Sequence, residues 1–300
     1  MPSAGAGQSI HPMFSIVIPS WNNLPYLRLC VDALRRHSTE SHQIIVHIND
    51  GSDGTRDWVA QEGIEHTASV ANAGICYAVN QAAAHARGDY VLYLNDDMVA
   101  APGWDVALLR ALERVRKHSS FMLSGTMVEA IATGNPCVVV ADYGRDAGSF
   151  VLDRFAREAP DRARDDWLGA TWPPTLVPRD AWHRVGGFSI EFSPGMSSDN
   201  DFSMKLWHAG CRVFLGVGDS LFYHFSGVST TRLRKNDGRR QFRMKWGITQ
   251  SAFDRHCLRR GQPVPPGEQG LVLAEPESSW AWRLERIKGA LLNQGGGGMP

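Results

Sequence analysis

Short apolar runs alternate with helically spaced apolar residues along the first hundred residues. Residues 14–18 (FSIVI) form a mostly apolar, β-branched run closed by Pro19, a pattern typical of a buried strand. Residues 26–36 space their apolar side chains at helical intervals, and residues 44–48 return to strand character. The chain is therefore predicted to begin with a strand, a helix and a second strand.

The same alternation continues to about residue 97. Helical segments are predicted over residues 56–62 and 74–86, and the run DYVLYLNDDM is predicted to form a strand that ends in Asn95, Asp96 and Asp97. Alternating β and α elements predict an α/β fold, a Rossmann-like, mostly parallel sheet flanked by helices. Because ligands bind beyond the carboxyl ends of such strands, we expect the site at the loops that follow them.

The second half of the chain has a less regular pattern. A helix is expected near residues 148–158 and a clearer one over residues 199–209, whereas residues 130–172 show no clear periodicity. The stretch PVPPG after residue 261 indicates a linker.

Residues 278–293 have the pattern of an amphipathic C-terminal helix. Its apolar side is formed by Trp280, Leu284, Ile287 and Leu291, and its basic residues are Arg283, Arg286 and Lys288. Such a helix can make a peripheral contact with a membrane surface, or it can pack on its own domain or across a homodimer. The short apolar stripe and the acidic Glu285 favour packing.

Composition narrows the classes of partner. The chain has 300 residues, of which 31 are Lys or Arg and 31 are Asp or Glu, so no global field draws it to nucleic acid or to an anionic membrane. No apolar run approaches the roughly 18 residues of a membrane-spanning helix, and the first residues resemble no secretion signal. The five cysteines are scattered and never spaced as C-x-x-C, which favours a reduced, cytoplasmic protein.

The acidic strand end suggests a metal. Asp96 and Asp97 are adjacent, and like charges raise each other's pKa unless a cation neutralises them. Mg²⁺ and Mn²⁺ bind such carboxylates together with substrate phosphates. The alternative is a solvated turn that merely begins the next helix.

Several motifs together resemble one known family. FSIVIPSWNN, NDGSDGT, NAGICYAVNQAAAHARGDYVLYLNDD, GGFSIEF and SDNDFSMKLWHAG are similar, in order and spacing, to family-2 glycosyltransferases of the GT-A fold, over residues 14 to 247. The resemblance implies a nucleotide-sugar-binding half (14–125), a less regular acceptor-binding and catalytic half (126–260), and a linker with a C-terminal helical tail (261–300). It implies metal-dependent, inverting transfer of a sugar from a nucleotide diphosphate-sugar to a hydroxyl of a glycan, a lipid-linked molecule or another acceptor, in glycan or polysaccharide biosynthesis.

The resemblance also assigns roles to residues. The positions that it carries over for the nucleotide are Pro19, Asp50, Asn72, Gly74 and Asp96, and those for Mn²⁺ or Mg²⁺ are Asp97 and His224. Turn formation is the competing interpretation of the Asp, Asn and Gly positions, and a core or surface role that of the histidine. A carboxylate can accept from uracil or from guanine, so the base stays open.

The catalytic base is expected at a helix start. Asp199 aligns with the family's base, although Ser198 stands where the family usually has Glu, and Asp201 is expected to be structural or acceptor-binding. Both acids also suit the positive end of a helix dipole. The basic run 232–245 is either a solvated face or a loop whose cations neutralise the diphosphate.

Two other classes of protein remain open at this point. A nucleotidyltransferase would also use an α/β fold and a metal, but SWNN lacks the Gly-rich, basic loop that grips a triphosphate. A catalytically silent nucleotide-sugar-binding or scaffold protein is the second alternative.

Overall fold

The computed structural model describes residues 13–226, 232, 234–276 and 280–294. The strands are β1 Phe14–Trp21, β2 Gln43–Asn49, β3 Glu65–Ser69, β4 Tyr90–Tyr93, β5 Met98–Ala100, β6 Met122–Glu129, β7 Val138–Val140, β8 Trp167–Leu168, β9 Thr175–Pro178 and β10 Phe214–His224. The helices are α1 Leu24–His37, α2 Thr55–Gln61, α3 Ile75–Ala83, α4 Trp104–Val115, α5 Leu152–Glu158, α6 Arg179–Val185, α7 Ser198–His208, α8 Gly238–Trp246, α9 Gln250–Ala252 and α10 Trp280–Gln294.

One sheet runs through both halves of the chain. Its main path has the order β3-β2-β1-β4-β9-β6-β10-β5, with β7 added beside β6 and β8 beside β10. The pairings of β1 with β2 and β4, of β2 with β3 and of β6 with β10 are parallel, whereas β9 is antiparallel between β4 and β6. The predicted α/β class with a mostly parallel sheet flanked by helices is confirmed.

Burial on both faces explains the apolar run that begins the chain. Successive side chains of a strand point to opposite faces, and in β1 Ile16 and Ile18 join one core while Val17 joins the other. Helix α1 covers the first face and α3 the second. Full burial of each such side chain contributes about 1.5–3 kcal/mol, so the alternating contacts hold the central strand firmly between two helical layers.

Several predicted boundaries move for local reasons. Strand β1 continues through Pro19 to Trp21, because β2 pairs with it to that point. The helix expected from residue 148 begins only at Leu152. The Asp146 carboxylate accepts hydrogen bonds from the backbone N–H groups of Gly148 and Ser149, and this turn replaces the first helical residues.

The segment predicted to be a linker is bonded to the sheet through its backbone. The N–H of Leu168 donates to the carbonyl of Gln262, and Pro263 forms a β-bridge with Trp167. Farther on, Leu271 and Leu273 are buried, one in each core.

Helix α10 packs on α8, but through the face opposite the predicted apolar one. Gly289 lies against the backbone of Gly247 so closely that an added Cβ would collide with its carbonyl oxygen. Arg243 and Asn293 exchange hydrogen bonds beside this contact. The helix therefore packs on its own domain, as favoured from the sequence, but it does so through residues outside the Trp280 stripe. Among the described helices, none combines the length and apolarity needed to cross a membrane.

Candidate active site

A cleft of about 180 Å³ opens beyond the carboxyl ends of the parallel strands. One wall is formed by the ends of β1 and β2, the start of α3 and the turn after β4, and the other by the loop leading into α7. Its lining residues are Pro19, Ser20, Trp21, Asn49, Asn72, Ile75, Tyr93, Asn95, Asp96, Pro194, Gly195, Met196, Ser198 and Asp199. The cleft therefore lies where a parallel sheet is expected to bind its ligand.

Asp96 lies on the wall of this cleft. Its carboxylate accepts a hydrogen bond of 3.0 Å from the side-chain amide of Asn23, just before α1. Burial and the neighbouring Asp97 raise the pKa of Asp96 to about 7, although Asn23 and Arg232 oppose the rise. A carboxylate in this position can accept a hydrogen bond from a ligand. A cation beside it would favour its charged form.

Asp97, His224 and Glu129 form a row of three neighbouring, largely buried polar side chains. His224 Nε2 lies 3.6 Å from the Asp97 carboxylate, and His224 Nδ1 lies 2.8 Å from Glu129 Oε1. Glu129 and His224 end the neighbouring parallel strands β6 and β10, so the sheet register places them side by side. Burial alone would lower the pKa of His224, but the Asp97 and Glu129 carboxylates outweigh it and the pKa is raised.

The Asp97–His224 pair fits a divalent cation as two ligands. When the Nδ1–H of a neutral imidazole donates a hydrogen bond to Glu129, the lone pair of Nε2 faces the Asp97 carboxylate. One oxygen and one nitrogen donor suit Mn²⁺, with substrate phosphates completing the shell. Within the described residues, no group of three or more His, Cys, Asp or Glu side chains is arranged to hold a metal.

Three of the five predicted nucleotide positions line the same cleft, whereas Gly74 and Asp50 do not. Pro19 and Asn72 line it, and the Asn72 side chain accepts from the N–H of Gly74 at 2.9 Å. Gly74 has a φ of 83°, and an added Cβ would lie 2.9 Å from Ser193 Oγ, so glycine is required where α3 begins. The carboxylate of Asp50 is not among the lining groups; it accepts a bond of 2.9 Å from Asn22.

Asp199 projects from the first turn of α7 into the cleft. The side chain is half-buried, and this desolvation raises its pKa to about 7. Its neighbour Ser198, which stands where the family usually has Glu, donates instead to the carbonyl of Gly195 at 2.8 Å. The Ser198 departure therefore leaves the position of Asp199 at the cleft intact.

Asp201 belongs to the packing beneath the site. It is fully buried, and one carboxylate oxygen lies 2.9 Å from both Lys245 Nζ and Trp246 Nε1 on α8. The other oxygen has no hydrogen-bond partner among the described residues. This geometry corresponds to the structural alternative for Asp201.

The sequence interpretation missed several residues of the cleft wall. The Tyr93 hydroxyl donates to the side-chain oxygen of Asn95 at 2.6 Å, and Trp21 and Met196 complete the walls. Trp21 and Tyr93 lie within two of the quoted motifs, at the ends of β1 and β4. Position at a strand end was the signal that could have identified them.

Arg232 is the member of the basic run 232–245 that the described contacts bring to the cleft. Its guanidinium lies over the Trp21 ring, 4.5 Å from the centroid, and donates to the carbonyls of Trp21 and Asn22. Two other members have structural partners, since Lys245 pairs with Asp201 and Arg243 with Asn293. The run is therefore neither a uniform solvated face nor a single phosphate loop.

The sheet, the strand-end cleft and its two acidic walls define a GT-A glycosyltransferase fold. Residues 15–122 match the model of Glycosyl transferase family 2. This part of the chain, which carries the first of the motifs quoted above, is therefore similar to family-2 glycosyltransferases.

Two curated proteins of Bacillus subtilis (strain 168) are similar to parts of the chain. The uncharacterized glycosyltransferase EpsJ is 30% identical over 91 residues, which is 29% of this chain and 26% of EpsJ. The uncharacterized glycosyltransferase YfnE is 33% identical over 149 residues, which is 48% of this chain and 33% of YfnE. The chain thus matches a third or less of either relative's length.

Solved structures of S. aureus TarS have the same fold. The structure of TarS 1-349 superposes with a TM-score of 0.51 at 15% identity, covering 70% of this chain and 60% of the other. The complex of TarS 1-349 with UDP-GlcNAc gives a TM-score of 0.52 at 15% identity, covering 77% of this chain and 64% of the other. At this identity the likeness establishes the fold alone.

Proposed function

We propose that the chain is a metal-dependent, inverting glycosyltransferase that moves a sugar from a nucleotide diphosphate-sugar to an acceptor hydroxyl. The observation that carries the proposal is that the carboxylates of Asp96 and Asp199 line opposite walls of one cleft, with Asp97 and His224 paired behind Asp96. The first wall suits the nucleotide and diphosphate, and the second suits the acceptor.

Asp199 is the proposed general base. In a single displacement, the acceptor oxygen bonds to the anomeric carbon as the bond from that carbon to the diphosphate breaks, and the hydroxyl proton passes to the Asp199 carboxylate. A base works best when its pKa lies near the working pH, and burial raises that of Asp199 to about 7. Desolvation of the carboxylate thus supports its catalytic role.

The opposite wall is proposed to hold the donor. Asp96 would accept from the ribose, while Asp97 and His224 would hold the metal, with Glu129 fixing the orientation of the imidazole. A divalent cation supplies charge neutralisation for the leaving diphosphate. Arg232, at the Trp21 edge of the cleft, is a second cationic group for that charge.

UDP-sugars are the first donors to test, because TarS of similar fold was solved with UDP-GlcNAc. GDP-sugars are the second, because Asp50, the carboxylate that the resemblance assigns to the base, can accept from either base. The acceptor is proposed to be a hydroxyl of a glycan, a lipid-linked molecule or another compound. A role in glycan or polysaccharide biosynthesis and a cytoplasmic location stay predictions from the sequence.

Release of nucleoside diphosphate tests the proposal. Purified protein is incubated with each donor, Mn²⁺ and a panel of acceptor glycans. We expect release that requires both metal and acceptor and that EDTA abolishes. Asp97→Ala, with its fold verified by circular dichroism, should lose this release, and Asp199→Asn should lower turnover roughly 10²–10⁴-fold while still binding donor.

Three outcomes would contradict the proposal. Undiminished transfer in EDTA or in the folded Asp97→Ala protein would remove the metal from the mechanism. Donor binding without release under any acceptor would favour the silent binding protein. Release of nucleoside monophosphate and pyrophosphate would favour a nucleotidyltransferase.

A further inference from the structure

The side of α10 that faces away from the domain carries an apolar stripe. The stripe consists of Trp280, Leu284, Ile287 and Leu291, whose side chains are 76%, 56%, 51% and 61% exposed. These positions recur every three or four residues, so they form one continuous line roughly 16 Å long on the helix. Apolar residues in an exposed line of this length are typical of a surface that contacts another apolar phase.

The opposite face of α10 is already occupied by the chain's own domain. Trp282 packs against the core and the ring of His256, and Gly289 contacts the backbone of Gly247. Arg243 and Asn293 exchange hydrogen bonds near the end of the helix. The helix is therefore fixed on the domain with the stripe directed outward.

Basic residues flank the stripe on both sides. At about 100° per residue, Arg283 falls on one flank and Lys288 on the other, and both are exposed. Lys288 continues into a shallow surface depression that it shares with the exposed Arg239 and Arg255. Glu285, the acidic residue of the helix, is half-buried in the same depression, among these cations and away from the stripe.

We infer that α10 is a membrane-contact element, which lays its stripe into the interface of an anionic lipid surface. An apolar line with a tryptophan at its start and cations on both flanks suits the boundary between acyl chains and anionic headgroups. Because Glu285 lies away from the stripe, its negative charge does not face the anionic headgroups. The inference rests on α10 alone and does not depend on the catalytic proposal.

Charge argues against a second copy of the chain as the occupant. In a two-fold dimer the same patch meets itself, so Arg283 and Lys288 of one copy would approach the cations of the other. Like charges across an interface are repulsive, whereas anionic headgroups complement them.

Vesicle sedimentation tests the inference with the full chain. We expect it to sediment with vesicles of phosphatidylcholine and phosphatidylglycerol, and far less with phosphatidylcholine alone or at high salt. Leu284→Gln with Ile287→Gln, and separately Arg283→Glu with Lys288→Glu, should weaken binding at least about tenfold. These side chains are exposed, and unchanged circular dichroism and thermal unfolding would verify the fold.

A matched control uses exposed apolar residues elsewhere. Ile131→Gln with Val140→Gln changes side chains that are 59% and 52% exposed and should leave sedimentation unchanged. Equal sedimentation of wild type and the stripe variant, or no sedimentation with anionic vesicles, would overturn the inference. A dimer in light scattering that the stripe variant abolishes would overturn it in favour of self-association.

Discussion

Asp199, the proposed general base, lies in an environment that disfavours its charged form. The carboxylate is desolvated, and no other cause of its raised pKa of about 7 competes with burial. A buried carboxylate that served stability alone would be paired or hydrogen-bonded to keep its pKa low. The environment of Asp199 therefore corresponds to function more than to folding.

Replacing Asp199 with an uncharged residue is therefore expected to raise the free energy of unfolding by an amount that depends on pH. Between about pH 4 and pH 7 the unfolded chain has released the Asp199 proton while the native chain keeps it, so native stability falls as the pH rises through this window. The loss is complete above pH 7 and is worth up to about 4 kcal/mol. Asp199→Asn should therefore raise the free energy of unfolding more at pH 8 than at pH 5.

Urea unfolding of both proteins at the two pH values measures this effect. Asp161→Asn serves as the control, because Asp161 is an exposed carboxylate near a helical turn. A change in unfolding free energy that is the same at pH 5 and pH 8 would contradict the assignment of Asp199 as a desolvated group.

The sequence could predict individual site residues where a motif coincided with a strand or helix end. Asp96 and Asp199 lie on the cleft because the end of β4 and the start of α7 bring them there. Asp50 was predicted from the same reasoning, but the turn after β2 directs its carboxylate to Asn22, and its neighbour Asn49 lines the cleft instead. A one-residue difference in a turn cannot be predicted from spacing alone.

At the scale of elements, three of them meet at the candidate metal position. The turn after β4 supplies Asp97, β10 ends at His224 and β6 ends at Glu129. The sequence predicted neither β6 nor β10, because their long buried runs lie in the half without clear periodicity. Glu129 was missed for that reason, since only strand pairing places it beside His224.

Glu129 is expected to act on metal affinity through the imidazole. Glu129→Gln keeps the size of the side chain but replaces the carboxylate with a neutral amide, which holds the Nδ1 proton more weakly and makes Nε2 a weaker ligand. Loss of such an outer contact typically weakens metal binding about 10–100-fold. Calorimetric titration of Mn²⁺ in the presence of UDP should show this loss, with secondary structure unchanged.

Glu113→Gln provides the control, because Glu113 is an exposed residue of α4. Unchanged Mn²⁺ affinity in Glu129→Gln, beside a clear loss in His224→Ala, would mean that Glu129 does not orient the ligand. Unchanged affinity in both variants would exclude His224 from the metal site.

At the scale of the whole molecule, strands and helices could be predicted in the first hundred residues, whereas in the second half only the helices α5, α7 and α10 could be. Parallel strands buried on both faces have strong apolar runs, so β1, β2 and β4 were evident. Strands of two to four residues, such as β8 and β9, are held by their neighbours in the sheet and have little pattern of their own. Their antiparallel pairing depends on tertiary contacts that no local window contains.

One continuous sheet supports the residues on both sides of the cleft. The parallel strands β1, β2 and β4 position the donor wall, and β9 joins them to the β6 and β10 pair that supports His224. Helix α7 then brings Asp199 to the other wall. In the proposed mechanism, a base and a leaving group on opposite walls would give displacement from one face of the sugar, with inversion at the anomeric carbon.

The anomeric configuration of the product tests this account most directly. The donor is chosen so that its sugar has an axial linkage to the diphosphate, and the acceptor is one that the nucleotide-release assay has identified. Proton NMR couplings of the purified product then report the configuration of the new linkage. The account predicts an equatorial linkage formed together with nucleoside diphosphate. An axial linkage in the product would contradict single displacement by Asp199.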